Sequence, residues 1–436
     1  MQLTEDQIFS LAPDEASKKA GRDLATPAKW VSLGVSAQAL WGECKGSGSK
    51  PYQTQVDLTN VAFKCSCPSR KFPCKHGLGL LLLNSRQPGL FQTANMPGWV
   101  SDWLSKRSEK EEKKAEKAEK PVDENALAKR QQAREQKVNA GIQELLMWIK
   151  DIVRNGIISL PEKGAAFWEN MARRMVDAQA PGLAAMVRQL AATPFWNEGW
   201  QSSFMDNLLQ IYLVTEGYQH IGNMNPDLQA DIRAAIGFTV NQDELRQQEG
   251  IHDNWLVLGK EVREEQQLSV EENWLYGIQS GQYALFLQFS ARGQVNQVSL
   301  MPGSYIKAEL VYFPSAVPYR CLIKNHTVIN PPQSVAHRAC TTWPQVAEYE
   351  AMLNTKLPFG NTMPIVVADL KPVQFQKQWW LQDNQGYLCK IADGFKSIYK
   401  LLALSGGEAL PMAVIGKENV YRPLGVWYQN TYQFLG

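Results

Sequence analysis

The stretch that most limits what this chain can fold into is Phe63-Lys64-Cys65-Ser66-Cys67-Pro68-Ser69-Arg70-Lys71-Phe72-Pro73-Cys74-Lys75-His76. It holds two ligand pairs, Cys65-x-Cys67 and Cys74-x-His76, separated by six residues. Zinc takes four nitrogen or sulfur ligands in a tetrahedron, and two such pairs joined by a short loop can close on one ion. Side chains two apart on a strand point the same way, so Cys65 and Cys67 can converge from a strand end. Cys74 and His76 stand where the chain enters a Leu-rich helix, and the positive end of a helix favours the thiolate form of cysteine. Three thiolates and one imidazole leave no coordination position for water, whereas a catalytic zinc keeps one open. The quartet therefore predicts one structural zinc ion, whose binding supplies folding free energy to a small module.

Three thiolates on a doubly charged ion leave the site with a net negative charge, and Lys64, Arg70, Lys71 and Lys75 surround it. These four side chains offset the thiolates, form a solvated face, or contact phosphates. Phe72 either stacks on a base or plugs the core of its own module. Over the whole chain, 45 Lys and Arg face 43 Asp and Glu, a formal charge of +2, so any nucleic-acid role falls to a local patch. Seven cysteines, an odd number in 436 residues, form no disulfide scaffold and fit a reducing compartment. No signal peptide and no apolar run of membrane-spanning length is evident, which places the protein in the cytoplasm without a membrane partner.

The expected fold class is α+β multidomain. Residues 1–100 form the zinc-stapled ββα module. Helices are expected near Asp6–Leu11 and Asp14–Leu24, and strands at Trp30–Val35, Gln38–Trp41, Tyr52–Leu58 and Ala62–Cys65, with a loop from Gly42 to Tyr52. Residues 101–140, including a Glu, Lys and Ala run, read as a charged linker or a solvated helix. Residues 141–250 carry apolar side chains at helical spacing and predict a small bundle. Residues 251–436 read as a mostly-β domain with helices near Trp343–Leu353 and Gly394–Leu404. In it, Ala291-Arg292-Gly293 turns the strand ending at Phe289 back into a partner at Val295–Leu300.

Around the quartet, Trp41-Gly42-Glu43-Cys44-Lys45-Gly46-Ser47-Gly48 and Pro51-Tyr52 complete a pattern that resembles the SWIM zinc finger. Asp177-Ala178-Gln179-Ala180-Pro181-Gly182-Leu183 and the stretch from Pro302 to Ala316 extend the likeness to bacterial SWIM zinc-finger proteins. The resemblance implies zinc binding and macromolecular interaction, with protein or DNA as the partner. Such proteins are typically encoded beside MoxR-type AAA+ ATPases and von Willebrand factor A-type proteins, which implies an adaptor in an ATPase-linked assembly.

Other reactive side chains have plainer readings. Cys44 is an ordinary thiol beside a complete quartet. Cys321, His326, His337 and Cys340 match no pair-of-pairs template. His220 and His252 are lone polar residues, and Cys389 belongs to a core strand. Trp379 and Trp380 alternate on a strand, so one of them is expected to be exposed. Walker A, His-Glu-x-x-His, Gly-x-Ser-x-Gly and Rossmann glycine patterns are absent, and the chain is expected not to be an enzyme. The readings that remain are an interaction protein acting through its finger, a nucleic-acid binder using the basic residues of that finger, and an enzyme with an unrecognised site in the C-terminal body.

Overall fold

The computed structural model describes residues 4–46, 50–59, 61–69, 71–93, 95–116, 124–265, 268–291, 298–331, 339–360 and 362–436. The N-terminal module opens with α1 (Glu5–Ser10) and α2 (Glu15–Leu24). Each is capped in the way its sequence dictates: Thr4 forms a capping box with Gln7, and the Asp14 carboxylate accepts the Ser17 N–H. Four antiparallel strands follow: β1 (Trp30–Val35), β2 (Ala39–Cys44), β3 (Tyr52–Asp57) and β4 (Ala62–Cys65). The expected loop from Gly42 begins later, because Gly42, Glu43 and Cys44 pair with Thr54, Gln53 and Tyr52.

Helix α3 (Lys75–Arg86) lies across this sheet, and β5 (Gln92–Thr93) adds to its edge beside β1. Leu78, Leu80, Leu81, Leu82 and Leu83 of α3 are all buried, in one cluster with Ile8, Trp30, Leu40 and Val56. Helices α2 and α3 approach closely because both carry glycine at the crossing. A Cβ on Gly21 would stand 2.8 Å from the Leu78 Cβ, and one on Gly79 would stand 2.8 Å from the Leu24 Cβ.

Helix α4 (Gly98–Glu116) begins on the module, where Val100, Trp99 and Leu104 pack with Ala39 and Trp41 of β2, and α5 (Glu124–Asn155) starts the bundle. The charged segment is thus helical over much of its described length, and it is not all spacer. Val138 is buried in the bundle core, and Glu135 pairs with Arg233 at 2.5 Å. The bundle continues with α6 (Ala165–Asp177), α7 (Pro181–Ala191), α8 (Trp200–Gln219) and α9 (Pro226–Ile236), and α10 (Gln242–Gln247) follows it. Prolines open α7 and α9, where a missing N–H leaves no bond unmade.

Strands β6 (Ile251–Glu265), β7 (Leu268–Gly277), β8 (Tyr283–Ala291), β9 (Tyr305–Tyr312) and β10 (Arg320–Ile329) close a barrel in the order β10-β8-β7-β6-β9. All its pairs are antiparallel except β8 with β10. Long β6 serves both halves, pairing β9 through Ile251–Leu256 and β7 beyond Trp255, with a bulge between Val257 and Gly259. This five-stranded Greek-key connectivity is that of an OB-type barrel. The expected hairpin from Phe289 into Val295–Leu300 lies largely outside the described residues. Residues 292–297 are not described, 298–300 are not strand, the Gln288 side chain donates to the Val298 carbonyl at 2.8 Å, and β10 pairs β8 at Leu285 and Phe286.

The C-terminal unit contains α11 (Trp343–Lys356), β11 (Pro364–Phe375), β12 (Gln378–Gln382), β13 (Leu388–Ile391), α12 (Ile398–Ser405), β14 (Leu410–Lys417), β15 (Val420–Tyr428) and β16 (Thr431–Phe434). Its strands form one sheet in the order β13-β12-β11-β14-β15-β16, with a further parallel pairing of β13 to β15. Trp379 and Trp380 are both half-buried, so neither is the expected exposed face, and Cys389 is core as expected.

The sheet packs on the outer wall of the barrel. Leu256, Leu258, Trp274, Tyr276 and Leu285 share one buried cluster with Val366, Ala413, Leu424, Trp427 and Tyr432. The Tyr283 hydroxyl accepts the Val366 N–H at 2.9 Å, and the Tyr432 hydroxyl donates to the Leu258 carbonyl at 2.8 Å. The molecule is α+β and multidomain, as the sequence leads one to expect.

Candidate metal centre

The geometry of the quartet follows from the two elements that flank it. Strand β4 ends at Cys65, which faces Thr54 of β3 in register. The Ser66 N–H still bonds the Gln53 carbonyl, so the chain leaves the sheet only after Cys65 is fixed. Cys74 is the N-cap of α3, and His76 lies in the first turn. The Cys65 Sγ stands 3.7 Å from His76 Nδ1, the Cys74 Sγ stands 3.9 Å from the same nitrogen, and all four ligand atoms lie within 4.8 Å of one another. A tetrahedral zinc with sulfur at about 2.3 Å and nitrogen at about 2.0–2.1 Å sets its ligands roughly 3.5–3.8 Å apart. The donor set fits that ion in both chemistry and spacing.

Surrounding groups hold the ligands in place. The Thr54 hydroxyl lies 3.2 Å from the Cys65 Sγ, and the Tyr52 ring packs against the His76 imidazole at 5.0 Å between centroids. Cys74 and His76 are buried, while Cys65 and Cys67 are half-buried. With the sulfurs crowded together, hydrogen bonding to Cys74 and then burial push the Cys65 thiol up to about 12. Burial raises Cys67, and the hydrogen bond from Cys65 lowers Cys74. A central dication supplies the positive charge that the sulfurs lack and displaces their protons. Cys65, Cys67, Cys74 and His76 thus constitute a site for one structural zinc ion.

The flanking residues are only partly free. Lys71 pairs with Asp14 of the α2 cap at 2.7 Å, which holds that carboxyl at about 2. The Phe72 ring meets Phe63 edge-on at 6.1 Å, and Phe63 in turn fills the space that a Cβ on Gly77 would need. Phe72 is half-buried beside the finger. Lys64 and Lys75 are exposed beside the quartet, and Arg70 lies outside the described residues.

Cys44 is buried near the quartet but not part of it. Burial pushes its thiol up to about 11, and it donates to its neighbour's carbonyl. Among the described residues no second metal group forms. Cys321 is buried in the barrel, Cys340 lies on a bridge to Val367, and His337 lies outside the described residues. His220 and His252 are exposed and stand 3.9 and 3.7 Å from Glu216 and Glu309. Among the described residues no helix is long and apolar enough to cross a membrane.

These features find counterparts among known protein families. Residues 52–84 match the family model described as the SWIM zinc finger. Residues 133–236 match the one described as the SWIM-associated four-helix bundle domain. The second match begins at Ala133, within the expected linker, where the next two residues, Arg134 and Glu135, already contact the bundle. No curated protein and no solved structure matches the chain. Fold and site thus define two regions of the chain, a zinc-binding finger similar to the SWIM family and a helical bundle similar to the one associated with it.

Proposed function

We propose that this chain is a non-catalytic adaptor whose SWIM finger docks a protein partner in an ATPase-linked assembly. The observation that carries the reading is the closed ligand set, which leaves zinc nothing to do but hold the finger's shape. A cleft of about 930 Å³ runs between the module, the barrel and the C-terminal sheet. No Asp, Glu or His side chain is among the residues that line it.

Protein is favoured over nucleic acid by two further features. Lys71 and Phe72 are engaged within the module itself. In the barrel, the wall that carries oligonucleotides in OB-type folds is occupied by the chain's own C-terminal sheet. The MoxR-type ATPase and von Willebrand factor A-type partners are those implied by the sequence resemblance. Affinity purification at native expression, with the wild type and with Cys74→Ser, tests the reading. Partners recovered only by the wild type support it, and equal recovery by both forms removes the finger as the docking element.

The exposure of Lys64 and Lys75 beside the quartet favours a second reading, nucleic-acid binding through the finger. It predicts retention on DNA or RNA at low salt that falls steeply as salt rises and weakens on Lys64→Ala plus Lys75→Ala. No retention at low salt eliminates it.

A further inference from the structure

Helix α8 is apolar on two faces. Phe204, Leu208, Ile211, Thr215 and Tyr218 face the bundle core. Met205, Leu209 and Leu213 recur at four-residue spacing outside that core, with exposures of 38%, 52% and 37%. A helix with apolar side chains on opposite faces is built to be covered on both.

The outward face does not lie open on a convex surface. Leu209 and Leu213 form one wall of a groove of about 470 Å³, and Leu353 and Leu357 of α11 and its C-cap form the opposite wall. Leu209 and Leu213 stand one helical turn apart, the kind of ridge on which the side chains of a second helix interdigitate, and across the groove Leu353 is half-buried over the buried Leu357. The groove is also acidic. Among the described residues, Asp206, Glu350 and Glu418 line it against a single ammonium, Lys417, which Glu418 already holds at 3.2 Å. Helix α8 itself carries Asp206 and Glu216 and no lysine or arginine.

We propose that the groove between α8 and α11 docks an amphipathic helix of a partner protein, with a leucine-type stripe seated on Leu209 and Leu213 and basic side chains facing Asp206, Glu350 and Glu418. The proposal rests on the interaction-protein reading above and adds a second docking element, remote from the finger.

The test uses the full-length, zinc-loaded protein and a fluorescein-labelled helical peptide of about 18 residues, five turns, with leucine on one stripe and lysine on its flanks. A matched peptide with glutamate replacing lysine is the control. The expected result is saturable binding of the lysine peptide, weakened about ten-fold or more by Leu209→Glu with Leu213→Glu. Asp206→Lys lowers affinity and flattens its salt dependence, and the glutamate peptide binds far more weakly. Both variants change exposed side chains, and unchanged circular dichroism and zinc content verify their fold.

Failure to bind the lysine peptide, binding untouched by the leucine pair, or equal binding of the glutamate peptide overturns the proposal. So does self-association of the wild type that the leucine pair abolishes, which makes a second copy the occupant. Because the peptide assay leaves the finger intact and the Cys74→Ser purification leaves the groove intact, either idea can fail without the other.

Discussion

Replacing Cys74 with serine removes one of three sulfurs from the zinc and also alters the N-cap of α3. Structural zinc in finger peptides is bound with about 10–16 kcal/mol of apparent free energy, and in such peptides that energy is the folding energy. Here the module has a second support. Fifteen buried residues among those described, from Ile8 to Phe91 with Met301 of the barrel segment, pack independently of the metal. Losing one ligand is therefore expected to loosen the Cys65–Cys74 loop and lower stability without abolishing the β1–β4 sheet. If the substitution weakens zinc binding by a hundred- to a thousand-fold, mass action at fixed free zinc withdraws about 2.7–4.1 kcal/mol. For a module of this size that corresponds to a fall of roughly 10–30 °C in its melting transition. Scanning calorimetry of the full chain, with zinc content measured on the same samples, reads both quantities. The wild type is expected to hold close to one zinc and to lose the same increment in chelator, while Cys74→Ser is insensitive to chelator. A serine variant that retains a full equivalent of zinc and melts with the wild type refutes the assignment of Cys74 and the energetic argument together.

Two further perturbations probe the scaffold. Gly79→Ala gains about 1 kcal/mol of helix propensity but drives a methyl against the Leu24 Cβ and to 3.2 Å from the Gly21 carbonyl. Overpacking of about 1–3 kcal/mol outweighs the gain, so a lower denaturation midpoint is expected, lower still for Gly79→Val. In the bundle, burial raises the Glu135 carboxyl, yet hydrogen bonds from Tyr218 and Arg233 more than offset this and hold its pKa below 4.5. A carboxylate lowered in the folded state stabilises above its unfolded pKa, and that stability disappears as pH falls through the folded value. Urea titrations are expected to place Glu135→Gln about 1–2 kcal/mol below the wild type at neutral pH, with the gap closing below pH 4.5; a gap independent of pH contradicts this.

Much of the architecture was legible because it rests on local rules. The ligand spacing led directly to the metal centre, and helical periodicity located α6 to α9 because each buries one apolar stripe. The strands β15 and β16 were harder to see for a definite reason. The hairpins around them turn at Glu418-Asn419 and Gln429-Asn430, and β11 turns into β12 at Gln376-Lys377. All six residues hold positive φ of 48–64° without a glycine to announce it. The barrel was illegible for a different reason. Over residues 255–259 of β6 and 273–277 of β7 both faces are buried, inside by the barrel core and outside by the C-terminal sheet, so these stretches lack the clean alternation of a half-exposed strand. At both ends of the charged segment, charge density masks the few residues that bind it to its neighbours, Leu104 and Arg107 to the module and Arg134, Glu135 and Val138 to the bundle.

The sheet that seals the barrel wall is translated after the barrel. On the ribosome, Trp274, Tyr276 and Leu285 emerge before any strand that shields them, and Tyr432 follows Ile329 only about a hundred residues later, some 5–20 s at ordinary elongation rates. During that interval a bare aromatic flank faces the crowded cell, and a chain that stops short of β14 would expose it permanently. Nascent or truncated forms are thus marked for chaperone capture by the same rings that join the two β units in the finished protein.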